Sequence, residues 1–224
     1  MRRARIASWA LTFLLLVAAG AQPGRADEKP ADKKAAPAVG DEKLRQELLR
    51  RMREDQDARK KLVQLMSAPK APGKQPVPPE AKAVREIDQR NTAWLKEAVD
   101  RRGWPGKSLV GPDGAQAAWL LVQHADRDRP FQKRCLPLLA AAVKKGEATG
   151  AQLAYLTDRV RVGAGEKQVY GTQFRTVDGK LEPQPIEDEA NVDKRRKEVG
   201  LPSLAEYRKQ MEQVYKPGTP AKKK

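Results

Sequence analysis

Apolar side chains recur at intervals of three or four along the first third of the chain. Leu44, Leu48, Met52, Leu62 and Met66 fall on one face of a helix, which predicts a helix over about 41–67. Pro69, Pro72, Pro76, Pro78 and Pro79 end it and make 69–79 an extended linker. Val84, Ile87, Leu95 and Ala98 mark a second helix over about 80–102, stopped at Gly103-Trp104-Pro105. A third covers about 113–126 with Asp113 as its cap. A fourth runs from near Pro130 to Gly146 with a kink expected at Pro137, and a fifth covers 150–162. The period then changes. Tyr170, Thr172 and Phe174 alternate on one side of a strand, and Asp178-Gly179 is a hairpin turn signal, with Pro183 and Pro185 keeping the return strand short. Helices over 188–199, ended by Gly200, and over 203–215, opened by Ser203 and Glu206 in capping-box spacing, complete the pattern. The predicted fold is mainly α: a single helical domain of about seven helices with one small β-hairpin.

The stripes are not uniformly apolar. Asp55 and Arg59 interrupt the seam of the first helix, Asn91 that of the second with Asp88 at its margin, and His124 ends that of the third. Asp158 stands between Ala154 and Val162 in the fifth. Burying an unpartnered polar group costs about 1–3 kcal/mol, and an unpaired charge costs more, so these residues require partners. One reading pairs them locally: Asp55 with Arg59, Asp158 with Arg161, His124 with a carbonyl or Asp128. The other has them converge on one pocket, where carboxylates, a guanidinium and an imidazole supply acid–base chemistry.

Composition narrows the partners. The chain has 224 residues and a formal net charge of +16. Much of the excess lies at the ends. Between Asp41 and Tyr215 there are 34 Lys and Arg against 26 Asp and Glu, alternating in sign along helices, as a solvated surface requires. No nucleic-acid motif accompanies them, so no nucleic-acid partner is expected. Met1-Arg-Arg-Ala-Arg followed by apolar Ile6 to Ala21 has the form of a secretory signal peptide over 1–26, cut after Ala21 or after Ala26. The run is short for a membrane span, which makes an uncleaved anchor the lesser alternative and the chain peripheral to a membrane at most. Residues 27–40 read as a disordered tether, 41–215 as the domain, and 216–224 as a lysine-rich disordered tail. These features imply a periplasmic or extracellular protein. Cys135 is the only cysteine, so no internal disulfide forms, and its place on an apolar stripe marks it as core.

The sequence has no zinc-ligand spacing, calcium loop, phosphate-binding glycine loop or nucleophile elbow, and no cofactor or metal is expected. Trp104 is read as a hydrophobic clasp over helix ends, and Gly171 as a bulge or a close backbone approach that leaves Tyr170 and Gln173 to contact a ligand, the alternative being an ordinary strand with one face buried. In order along the chain, "DQDAR" (55–59), "IDQRN" (87–91), "GWP" (103–105), "AAWLLVQHAD" (117–126), "YLTDRV" (155–160), "YGTQ" (170–173) and "PIEDEANVDKRR" (185–196) resemble a family of bacterial proteins of unknown function. That resemblance implies one intact domain and no reaction.

The leading expectation is a site for a small polar or anionic ligand, hydrolytic in type. His124 is its acid/base, Asp88 or Asp158 its orienting partner, and Arg59 the holder of an anionic group. Asp55, Asn91, Tyr170 and Gln173 line it. The alternative is a non-catalytic envelope protein that binds an anionic polymer or a protein partner through its basic surface.

Overall fold

A computed structural model describes residues 40–67, 76–177 and 180–215. The signal peptide, most of the tether and of the proline linker, the Asp178-Gly179 turn and the lysine tail lie outside the described residues. Seven helices and one two-stranded antiparallel sheet make up the described chain, a mainly α fold. The helices are α1 (Glu42–Ser67), α2 (Pro79–Arg102), α3 (Lys107–Gln123), α4 (Arg129–Lys144), α5 (Gly150–Gly163), α6 (Val192–Glu198) and α7 (Leu204–Tyr215). The strands are β1 (Phe174–Val177) and β2 (Lys180–Pro183).

α3 is the centre of the fold. Ala117, Ala118, Trp119, Leu120, Leu121 and Val122 are all buried, so this helix is apolar on every side and must be covered on every side. α1, α2, α4 and α5 pack around it, while α1 also packs on α2 and α4 on α5. Leu48, Leu95, Val110, Cys135, Leu139 and Leu156 complete the core, and Trp104 packs against it half-buried. Cys135 is fully buried, as its stripe implies.

α3 begins earlier than its pattern predicts, and Asp113 does not cap it. A first turn from Lys107 ends at Gly111 (φ 72°), and Pro112 restarts the helix there. Asp113 instead receives a two-pronged hydrogen bond from Arg45 of α1, at 2.8 and 2.6 Å. The caps of the following helices come from side chains: Asp128 accepts from Phe131 N–H, and Thr149 and Gln152 form a reciprocal capping box. α4 continues through Pro137 as one helix. Ser203 and Glu206 form the expected box at α7. Towards the C-terminus the 188–199 helix divides into a 3-10 turn, Glu189–Asn191, and α6.

The strand predicted from Tyr170 begins only at Phe174, where Phe174 pairs with Pro183 and Val177 with Lys180. Residues 168–173 form a polar knot. Asp158 of α5 accepts from the N–H groups of Val169 (2.7 Å), Tyr170 (3.0 Å) and Thr172 (2.9 Å) and from the Thr172 hydroxyl (2.9 Å). Those amides are therefore taken from any ladder. The buried Gln168 side chain donates to the Gln173 and Gln184 carbonyls and accepts from Gln173 N–H. Arg196, fully buried, donates to the Tyr170 and Pro202 carbonyls and lies 4.9 Å from the Tyr207 ring centre.

Gly171 is the pivot of this knot, with φ 69°. A Cβ there would meet Leu204 Cδ1 at 2.8 Å and Ile186 Cδ1 at 3.0 Å. Gly171→Ala combines left-handed strain with overpacking, and its expected cost is about 1–3 kcal/mol, read as a lower denaturation midpoint. An unchanged midpoint would show that the knot is looser than these contacts imply.

Candidate functional site

Four of the polar interruptions meet between α1, α2 and the end of α3. Asp55 and Arg59 lie one turn apart on α1, and Arg59 Nε donates to Asp55 Oδ1 at 3.0 Å. The Arg59 Nη2 group reaches across to Asp88 Oδ1 of α2. His124, the residue that closes α3, places Nδ1 at 3.0 and 2.9 Å from the two oxygens of Asp55. All four are buried, with Asp55 1% exposed, Arg59 3%, His124 6% and Asp88 8%. Gln56 donates to Asp55 Oδ2 at 2.8 Å. The contact with the Asp55 carboxylate puts the ring proton on Nδ1, and in that neutral tautomer Nε2 carries the lone pair.

A second ion pair adjoins the first, and the sequence reading did not single it out. Arg159 of α5 grips Asp126 through both carboxylate oxygens, at 2.7 and 2.8 Å, and Gln132 donates to Asp126 Oδ1 at 3.1 Å. Arg159 weakens proton binding at His124, and Asp126 raises the affinity of Asp88, so the two pairs share one electrostatic site. The Asp126 side chain is 26% exposed and forms its edge towards solvent. The Asp126–Arg159 pair joins the α3–α4 turn to α5, and no periodicity within a single element could reveal it.

Neighbouring charges separate the proton affinities. Burial pushes Asp88 up to about 7 against the pull of Arg59. Burial opposes ionisation of Asp55 too, yet His124 and Arg59 together hold it at about 2. Burial, followed by Arg59, lowers His124 and favours the neutral ring.

Asp158, Tyr170 and Gln173 are not in this cluster. Asp158 directs its hydrogen bonds into the 169–172 loop, and Gln173 bonds within the same knot. The role assigned to Asp158 or Asp88 beside the imidazole falls geometrically to Asp55. Local pairing also fails at two places: Arg161 binds Glu187 and the Lys167 carbonyl, not Asp158, and Asp128 caps α4 and pairs with Lys96, not His124. Asn91, one turn beyond Asp88, accepts from Arg51 Nη1 at 3.0 Å, and its buried Nδ2 has no hydrogen-bond partner among the described residues. A shallow groove lined by Glu42, Lys43, Gln46, Glu47, Arg50 and Arg53 lies on the outer side of α1, with none of the buried cluster in it.

A family model, described as a family of unknown function (DUF6624), matches residues 42–218. The chain belongs to this family. No curated protein and no solved structure matches it. The matched span runs from the first residue of α1 past the end of α7 and so contains all seven helices and the hairpin strands. Among its described residues no helix is long and apolar enough to cross a membrane.

Proposed function

We propose that the chain is an exported protein whose α1–α2–α3 cluster binds a small polar ligand and supplies acid–base groups for hydrolytic chemistry. The observation that carries this reading is the convergence of Asp55, Arg59, Asp88 and His124 from three helices into one buried network. Its two carboxylates have proton affinities pushed far apart, about 2 and about 7, the arrangement that separates a base from an acid near neutrality. Asp55 orients the imidazole and Asp88 is the carboxyl that can exchange a proton. Export rests on the basic and apolar character of residues 1–26.

Charge on the described surface favours this reading over an anionic-polymer binder. Arg45 is matched by Glu42 and Asp113, Arg50 by Glu47, Arg90 by Glu54 and Arg134 by Asp100, so these basic groups are already paired with carboxylates of the same surface. The test is a thermal-shift screen of phosphate esters, carboxylates and monosaccharides against the wild type, Asp88→Asn and His124→Gln. Compounds that stabilise the wild type are expected to lose their effect in both variants. If both variants fold and keep every ligand-dependent shift, the cluster is not the site.

A further inference from the structure

Resting on the reading of the cluster as a ligand site, we infer that it holds a divalent metal cation through Asp55, Asp88 and His124. One donor atom from each of these three residues lies within 4.8 Å of the other two, and all three residues are buried. Asp55 lies on α1, Asp88 on α2 and His124 at the C-cap of α3, so their approach is a property of the packing and not of local sequence. Two carboxylates and one imidazole suit a hard or borderline divalent ion.

Charge balance points the same way. The two adjoining pairs contain three carboxylates, Asp55, Asp88 and Asp126, against two guanidiniums, Arg59 and Arg159. With a neutral imidazole and all three carboxylates ionised, the site carries one more negative charge than positive, which a bound cation offsets. Its position is Asp88. Arg59 donates to Asp88 Oδ1 and leaves the second oxygen, Oδ2, outside that contact. The Oδ1 atoms of Asp55 and Asp88 thus serve the guanidinium, while Asp55 Oδ2 meets Gln56 and the His124 ring. An anionic group would meet two guanidiniums already committed to carboxylates. In the metal-bound state His124 and Asp88 are ligands, and the water that hydrolysis needs is held and polarised by the cation rather than by the imidazole.

The chain has a single histidine, which makes its ring nitrogens an unambiguous reporter. The purified protein, stripped with a chelator, is titrated with zinc and then manganese chloride while the imidazole is followed by long-range nitrogen NMR and bound metal is counted after dialysis. One ion per chain, a shifted His124 signal with zinc and a broadened one with manganese are expected. Asp88→Asn, with its fold checked by circular dichroism, should weaken binding by more than about 10-fold, the lower figure for losing a group that only orients a ligand. Absence of stoichiometric metal with an unmoved His124 signal would overturn the inference, as would binding that Asp88→Asn leaves intact. Methylammonium chloride is the control: if it moves His124 and the metals do not, the cation is organic and the metal assignment is wrong. A His124 signal that responds to compounds from the polar-ligand screen but ignores metal overturns the metal alone and leaves the ligand site standing.

Discussion

Asp55→Ala is expected to destabilise the fold by about 3–5 kcal/mol, the cost of leaving buried charges without their partner. Asp55 is the hub of the cluster, since it receives Arg59 Nε, the His124 ring and Gln56 at once. Its removal leaves the His124 Nδ1 donor buried without this acceptor and Arg59 with only Asp88 of its two carboxylates. For a domain whose total stability is on the order of 5–15 kcal/mol, this is a large fraction, and the melting temperature should fall by roughly 10 °C. The informative comparison is a coordinated replacement, Asp55→Leu with Arg59→Met, Asp88→Leu and His124→Phe. Apolar residues of similar volume often replace buried ionic sets without loss. If the fourfold variant is as stable as the wild type while Asp55→Ala is not, the network is not needed for the fold and its polarity serves a ligand. A cost below about 1 kcal/mol for Asp55→Ala would mean that the cluster is less dry than its burial indicates.

The second large effect concerns pH, in the metal-free protein. Asp88 has an ordinary value near 3.8 when unfolded and about 7 in the fold, so the native state binds its proton more tightly. The sign follows: this residue costs nothing at low pH, and its penalty grows as pH rises from about 4 to 7, reaching on the order of 4 kcal/mol above that. His124 works in the opposite direction. Its lowered affinity means that acidification below about 6.5 protonates the unfolded chain in preference, which costs stability there. The two slopes offset each other in the wild type. Asp88→Asn isolates one of them, because asparagine resembles the protonated carboxyl and cannot ionise. The variant is expected to exceed the wild type in stability at pH 8, with the margin shrinking towards pH 5, as measured by urea unfolding at each pH. A margin that stays constant across this range would mean that Asp88 titrates normally. Below pH 4 a different loss appears in both proteins, as Asp55, held at about 2, is forced to take a proton.

The division of information along the chain has a physical basis. Periodicity alone determined the mainly α fold, the spans of α1, α2, α4, α5 and α7 to within a residue or two, and the hairpin around residues 178–179. Those features follow from spacing and from local capping, which residues close in sequence decide. Stripe interruptions also marked Asp55, Arg59, Asp88, Asn91 and His124 as polar groups that need partners, because burial makes that demand wherever the residue lies. Only the tertiary structure decided who the partners are. Asp55 joins His124 across 69 residues, Arg59 joins Asp88 across 29, and Arg159 joins Asp126 across 33. The same limit explains Asp113, drawn from a cap to Arg45, and Asp158, drawn from the expected pocket to the amides of 169–172. A carboxylate is satisfied by any correctly placed donor. A single sequence can reveal that such a group is buried and in need, but the donor that satisfies it is selected by packing around α3.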